Sequence, residues 1–206
     1  MTRIAAGRFG GRRLAVPPSG TRPTSERARE GIFSTLTSLL GGFDGVRFLD
    51  LYAGSGAIGL EAWSRGAAQV TLVEAASRAV AVLRANVVAL TPVTGEPGAL
   101  GAVNVVAAKV ESALATMAVS SFDVVFADPP YDVSSAGLSA VVGTLCGRRM
   151  LANGAIVAVE RAVRDQWSWP EGIEPLSDRR YGDARVWYGR AARVVDDTAA
   201  VPGSDG

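Results

Sequence analysis

Two short segments of this 206-residue chain gather the residue types that group-transfer chemistry needs. The first is Gly54-Ser55-Gly56-Ala57-Ile58-Gly59, a G-x-G-x-x-G turn between the apolar run 46–52 and a helical stretch reaching about Arg65. Glu74 lies 20 residues beyond Gly54, at the end of the next apolar run. Glycines at this spacing let a ligand approach the main chain, and the acid receives two ribose hydroxyls, so the segment predicts a nucleoside site. Asp50, four residues ahead of Gly54, narrows the choice of nucleoside. A carboxylate there repels the pyrophosphate that dinucleotides place on such a turn, and suits a ligand with an ammonium group. S-adenosylmethionine (SAM) brings an ammonium, a sulfonium and no phosphate, and is preferred over NAD. A tight turn capped by Asp50 is the purely structural alternative.

The second segment is Asp128-Pro129-Pro130-Tyr131, delivered by the apolar run 122–127. Ligands of open α/β sheets bind at the carboxyl ends of strands. A planar amine on an aromatic ring has a delocalised lone pair, which must be freed before it attacks a methyl group. Asp128 can accept one N–H, a carbonyl of the Pro129-Pro130 turn a second, and Tyr131 can stack on the ring. Acceptors so placed stabilise positive charge developing on nitrogen, and in-line placement does the rest. The bland alternative is a turn with a capping acid.

These segments need a scaffold, and the pattern supplies one. Strands at 46–52, 69–74, 102–107, 122–127 and 155–160 alternate with helices to about 65, over 77–90, near 110–118 and near 135–149. A final strand pair is expected near 173–179 and 184–190. Alternation of this kind predicts an α/β chain of Rossmann-like type, a mostly parallel sheet with helices on both faces and a closing antiparallel hairpin. Ahead of it, strands at 2–9 and 12–16 around Gly10-Gly11 predict a hairpin, and Thr24 or Ser25 caps a helix near 26–40. The expected division is a basic N-terminal extension over 1–42, a catalytic domain over 43–193 and a small polar tail over 194–206 with the composition of a disordered segment.

Composition removes several classes. The chain is 48% hydrophobic and 20% charged, with no histidine and one cysteine, Cys146. That excludes most zinc sites, Ser-His-Asp triads, Cys-His dyads and disulfide frameworks, and no metal is expected. No run approaches the roughly 20 apolar residues of a membrane span, and Met1-Thr2-Arg3-Ile4 opens no signal peptide, so a cytoplasmic, membrane-free protein is expected. The net charge of +1 hides an arginine-rich start: residues 1–30 carry seven arginines against two glutamates, a balance of +5. Arginine forks suit phosphate and bases, and a solvated basic face is the alternative. Trp167 and Trp169 are read as packing beside the sheet rather than stacking on a base, Cys146 as a small buried residue, and Arg179 and Arg180 as solvent-facing.

Together these residues resemble class I SAM-dependent methyltransferases that act on amines, and most closely the RsmD family, which methylates guanine N2 in 16S rRNA. The resemblance runs through Gly7-Arg8, Gly11-Arg12-Arg13-Leu14, Arg22-Pro23-Thr24, Glu26-Arg27, Arg29-Glu30, Phe33-Ser34, 48–56, Gly59-Leu60-Glu61 and 128–131. The Arg-Pro-Thr segment and its helix are specific to that family; the other two motifs are shared more widely. The resemblance implies SAM as cofactor and, as target, guanine 966 of 16S rRNA in the small ribosomal subunit or its precursor. By position, Asp50, Gly54 and Gly56 surround the methionine part of SAM and Glu74 the ribose, with Tyr52, Ala53, Ser55 and Ala75 completing the set. Asp128, Pro129, Pro130 and Tyr131 hold the guanine. Arg22, Thr24 and Arg27 flank the pocket, and Arg8, Arg12 and Arg13 lie farther along the RNA. One departure stands out: where the family has an acid after the third strand, this chain offers Ala107-Ala108-Lys109-Val110, with Glu111 displaced. Methylation of adenine N6 in DNA or of a glutamine amide, and a non-catalytic RNA-binding assembly factor, are the competing readings. Nothing in the sequence requires more than a monomer.

Overall fold

The computed structural model describes residues 2–17, 25–91, 101–119 and 121–193. Its chain order is β1 (Thr2–Arg3), β2 (Arg13–Leu14), α1 (Glu26–Leu40), β3 (Arg47–Leu51), α2 (Ala57–Ser64), β4 (Gln69–Glu74), α3 (Ser77–Leu90), β5 (Ala102–Ala107), α4 (Val110–Thr116), β6 (Phe122–Ala127), α5 (Ser135–Gly147), β7 (Leu151–Ala162), β8 (Ile173–Tyr181) and β9 (Ala184–Ala191). Arg22, Thr24 and the tail from Val194 lie outside the described residues.

Seven strands form one sheet in the order β5-β4-β3-β6-β7-β9-β8. The first five are parallel, and β9 and β8 close the sheet antiparallel. Because β3 and β4 are covered on both sides, they read as continuous apolar runs. One face packs Phe48, Val70, Leu72 and Phe126 beneath α1, α2 and α3. The other packs Leu49, Leu51, Val125 and Val157 beneath α4 and α5. Ser25 caps α1 by accepting the Ala28 N–H at 3.2 Å, and Ser134 caps α5 by accepting that of Gly137 at 3.1 Å. No helix among the described residues is long and apolar enough to cross a membrane.

The N-terminal extension corrects the sequence reading. Instead of strands over 2–9 and 12–16, only Thr2 and Arg3 pair with Leu14 and Arg13. Between them the main chain turns onto α2, whose Glu61 carboxylate accepts the N–H groups of Ala5 and Ala6 at 2.6 and 3.0 Å. Gly7, at φ +80°, lies so close to α2 that a Cβ would fall 2.0 Å from the Ser64 carbonyl oxygen. Ile4, Phe9 and Leu14 enter the same core cluster as α1 and the sheet, so the extension shares their hydrophobic support. Strand β7 is also longer than expected: Leu151 pairs with Phe122 of β6 ahead of the expected start, and pairing with β9 carries the strand on to Ala162.

Candidate active site

Register assembles the site. Leu51 pairs with Val73 on one side and Ala127 on the other, so the next residues, Tyr52, Glu74 and Asp128, stand side by side at the carboxyl ends of β3, β4 and β6. This point lies between β3 and β6, where successive crossovers run in opposite directions and a crevice opens.

The three glycines of the turn do different work. Gly54, at φ +56°, has nothing within 4 Å of where a Cβ would stand, so a ligand can approach its backbone. Gly56, at φ +82°, precedes α2, and a Cβ there would meet Leu83 Cδ1 at 2.3 Å. Gly59 lets α2 lie on β4, for a Cβ would fall 2.2 Å from Leu72 Cδ2. Ahead of the turn Tyr52 is a non-glycine residue at φ 63°, and its ring is carried onto the α4–α5 side of the sheet. A left-handed tyrosine costs of order 1–3 kcal/mol and persists only where its surroundings impose it.

Three carboxylates border this turn. Asp50 is 2% exposed, and its Oδ2 accepts the Gly59 N–H at 2.8 Å in the first turn of α2. Burial pushes its carboxyl up to about 8; the Gly59 bond opposes this, and the charges of Asp128 and Glu74 add to it. Glu74 accepts the N–H groups of Gly54 and Ala76 at 2.8 and 2.7 Å, tying the end of β4 to the turn. A carboxylate has about four lone-pair sites, so two remain for a ligand. Asp128 is half-buried, and desolvation raises its carboxyl to about 6 against the pull of Arg161. A ligand that brings positive charge would favour the ionised forms of these carboxyls.

Beyond Asp128, Pro129 is buried and Pro130 exposed, and the Pro130 carbonyl accepts the Val133 N–H at 3.0 Å. Tyr131 stands 75% exposed, so its ring is open to a ligand. Lys109 and Glu111, at the start of α4, are both exposed.

The family described as conserved hypothetical protein 95 matches residues 2–190. Ribosomal RNA small subunit methyltransferase D (RsmD) of Escherichia coli K12 is 35% identical over 164 residues, covering 79% of this chain and 76% of that protein. The chain belongs to the RsmD family. The RsmD of Haemophilus influenzae is 30% identical over 181 residues, covering 87% of this chain and 89% of that one. Among solved structures, yhhF from Escherichia coli superposes with a TM-score of 0.77 at 29% identity, covering 92% and 97% of the two chains. A hypothetical protein from Thermus thermophilus does so at 0.70 and 32% identity, covering 94% and 100%.

In this RsmD-family chain the basic residues divide. Arg8, Arg13 and Arg27 are exposed, and Arg12, also exposed, donates from Nη1 to the Ala89 carbonyl at 2.8 Å, near the C-terminus of α3. Arg29 is fully buried and donates to Thr2 Oγ1 at 2.7 Å and to the Arg3 carbonyl, so it belongs to the core and not to the basic surface. Cys146 is half-buried, more open than expected. Trp167 and Trp169 do pack on the α5 side of the sheet, and Arg179 and Arg180 are exposed as expected.

Three residues to which the sequence reading assigns no role support the site. Glu61, fully buried, also accepts from Arg65 Nε at 2.8 Å. Asn86 reaches from α3 to the Ser55 carbonyl of the turn at 2.9 Å. Arg161, 9% exposed at the end of β7, donates to the Val133 carbonyl at 2.7 Å and pairs with Asp165 at 3.0 Å, fixing the segment that follows Tyr131. The signal for the first two was a lone polar residue inside an apolar helix, since such groups are seldom buried without partners.

Proposed function

We propose that this protein transfers a methyl group from SAM to the exocyclic N2 amine of one guanine in small-subunit rRNA, guanine 966 by family resemblance, on an assembling subunit. The observation that carries the reading is the pairing of Leu51 with Ala127, which sets the acid-bordered glycine turn beside Asp128 and the exposed Tyr131.

SAM would supply an electrophilic methyl on a sulfonium. Asp50, Gly54 and Gly56 hold its methionine end, with Tyr52, Ala53 and Ser55 around it, while Glu74 and Ala75 take the ribose. The Asp128 carboxylate accepts one N–H of the guanine amine. The Pro130 carbonyl is already engaged by Val133, so the Pro129 carbonyl is the second acceptor. With both N–H groups held, the lone pair is directed out of conjugation and towards the methyl. Positive charge developing on nitrogen is met by an anion already in place, an arrangement worth on the order of 10²–10³ in rate. The raised proton affinity of Asp128 also equips it to receive the proton that the amine must shed. Tyr131 offers a face on which a guanine turned out of its stack can lie. Arg8, Arg12, Arg13 and Arg27, with Arg22 and Thr24, contact the phosphates, which position an RNA without choosing its sequence.

The deciding experiment incubates the protein with SAM labelled in the methyl group and small subunits lacking the modification, then digests the RNA and identifies the labelled nucleoside. Label in N2-methylguanosine at a single position supports the reading. Label in another nucleoside, or none with SAM bound, overturns it and turns attention to DNA and protein amides.

A further inference from the structure

An aromatic cleft on the closing strands is left unused by this chemistry. Trp167 and Trp169 pack on the α5 side of the sheet with ring centroids 5.4 Å apart and planes at 86°, yet both remain partly open. Trp187 joins them from β9; its neighbours Val186 and Tyr188 point into the opposite core cluster, which turns its indole to the same side as theirs. With Pro175, Leu176 and Asp178 the three indoles wall a cavity of about 350 Å³.

The rim is basic. The Arg185 guanidinium stands 5.6 Å from the centroid of the Trp187 ring, and Arg180 is its cross-strand partner. Arg164, three residues before Trp167 in the chain, is 84% exposed at its side chain and stands 4.0 Å from the Asp165 carboxylate. Asp178, paired with Arg185 at 3.0 Å, is the one carboxylate among these walls. The cleft is also tied to the loop that presents Tyr131. Ser135 Oγ, at the start of α5, donates to the Gln166 carbonyl at 2.8 Å, and Arg161 holds Val133 and Asp165 together.

We propose that this cleft receives the base of an unpaired rRNA nucleotide near the target guanine, stacked on Trp187. The inference deepens the methyl-transfer reading and rests on it for the identity of the RNA. Indole faces stack on any base, a guanidinium beside the ring meets phosphate, and Asp178 can accept an N–H from a base edge. A groove of tryptophan and proline also fits a proline-rich peptide, but an arginine rim at the mouth favours a polyanion.

The test titrates the full chain with a short unpaired oligoribonucleotide and reads tryptophan fluorescence. Trp63, the only tryptophan outside the cleft, is 5% exposed, so quenching reports on the cleft. The wild-type signal should fall as RNA binds. Trp187→Leu should bind roughly tenfold more weakly, and Trp187→Phe, which keeps an aromatic face, should recover most of the affinity. On small subunits lacking the modification, Trp187→Leu should raise KM by a similar factor with kcat unchanged. Wild-type fluorescence that stays constant while RNA binds overturns the proposal, and that titration needs no variant. So does a folded Trp187→Leu protein that binds as tightly as wild type. A KM effect on subunits without quenching by the oligonucleotide overturns it too, because the occupant is then a protein of the particle. A wild-type chain that methylates no rRNA defeats the methyl-transfer reading, and the quenching titration still decides the cleft.

Discussion

Asn86 meets Ala15 as a neighbouring strand would, accepting its N–H at 2.9 Å and donating to its carbonyl at 3.0 Å. The same Nδ2 donates to Ser55 in the glycine turn, so one buried amide joins the N-terminal extension to the proposed cofactor site.

Asn86→Ala removes the partner of one N–H and two carbonyls. A buried polar group left unmatched costs about 1–3 kcal/mol, so the urea midpoint should fall by a corresponding amount. Because the turn loses a support, SAM should also bind more weakly by calorimetry. A destabilised variant with wild-type SAM affinity would show that the amide serves the fold alone.

Asp128→Ala should lower kcat by about 10²–10³ and leave SAM affinity nearly unchanged. Asp128→Asn, which keeps a neutral acceptor, should lose less. The wild-type carboxyl is raised to about 6, so its anionic fraction falls on acidification through that pH. Methyl transfer should therefore weaken below about pH 6 in the wild type, while the Asn variant shows a flatter profile. Equal losses of turnover and SAM binding in the Ala variant would mean that Asp128 serves the cofactor instead.

Asp50 should leave its mark on stability. Its folded carboxyl is raised to about 8 from an ordinary value of 3.8, so between those values the folded chain holds a proton that the unfolded chain has released. Stability from this group is thus lost as pH rises across that window. Asp50→Asn still offers an oxygen to the Gly59 N–H and has no proton to lose. Its stability relative to wild type should improve from pH 5 to pH 8 in denaturant titrations, while SAM binding weakens. Parallel pH dependences would remove Asp50 as the cause.

Replacing Arg12 and Arg13 together with alanine should weaken RNA binding and flatten its logarithmic salt dependence by roughly one to two. Filter binding between low and moderate salt measures this directly. An unchanged slope would assign both arginines to solvent, apart from the bond that Arg12 makes with Ala89.

The regular elements were legible because their signals are local. Helix α3 and strands β5 and β6 have the expected bounds, set by apolar periodicity and by the breaks that flank them. The glycine turn and its acids were legible as well, since spacing along one chain fixes their place in a strand–turn–helix unit. The hairpin is present, but its strands are shorter than the pattern suggests, because the N–H groups of Ala5 and Ala6 are satisfied by a carboxylate 56 and 55 residues away and not by a facing strand. Arg29 was counted with the basic surface because composition cannot tell an arginine buried against Thr2 from one in water. Asn86 and Arg161 act through partners 71 and 28 residues distant, a relationship that only the folded chain displays.

The contact of Gly7 with Ser64 bears on how such an enzyme changes over generations. The arm is fastened there through its main chain, by the Arg8 N–H to the Ser64 carbonyl at 2.7 Å and the Phe9 N–H to Ser64 Oγ at 2.9 Å, and any side chain at position 7 would be expelled. Anchorage by backbone is indifferent to what the outward positions carry. The arm can therefore exchange its surface residues while its seat on the body of the sheet stays where it is.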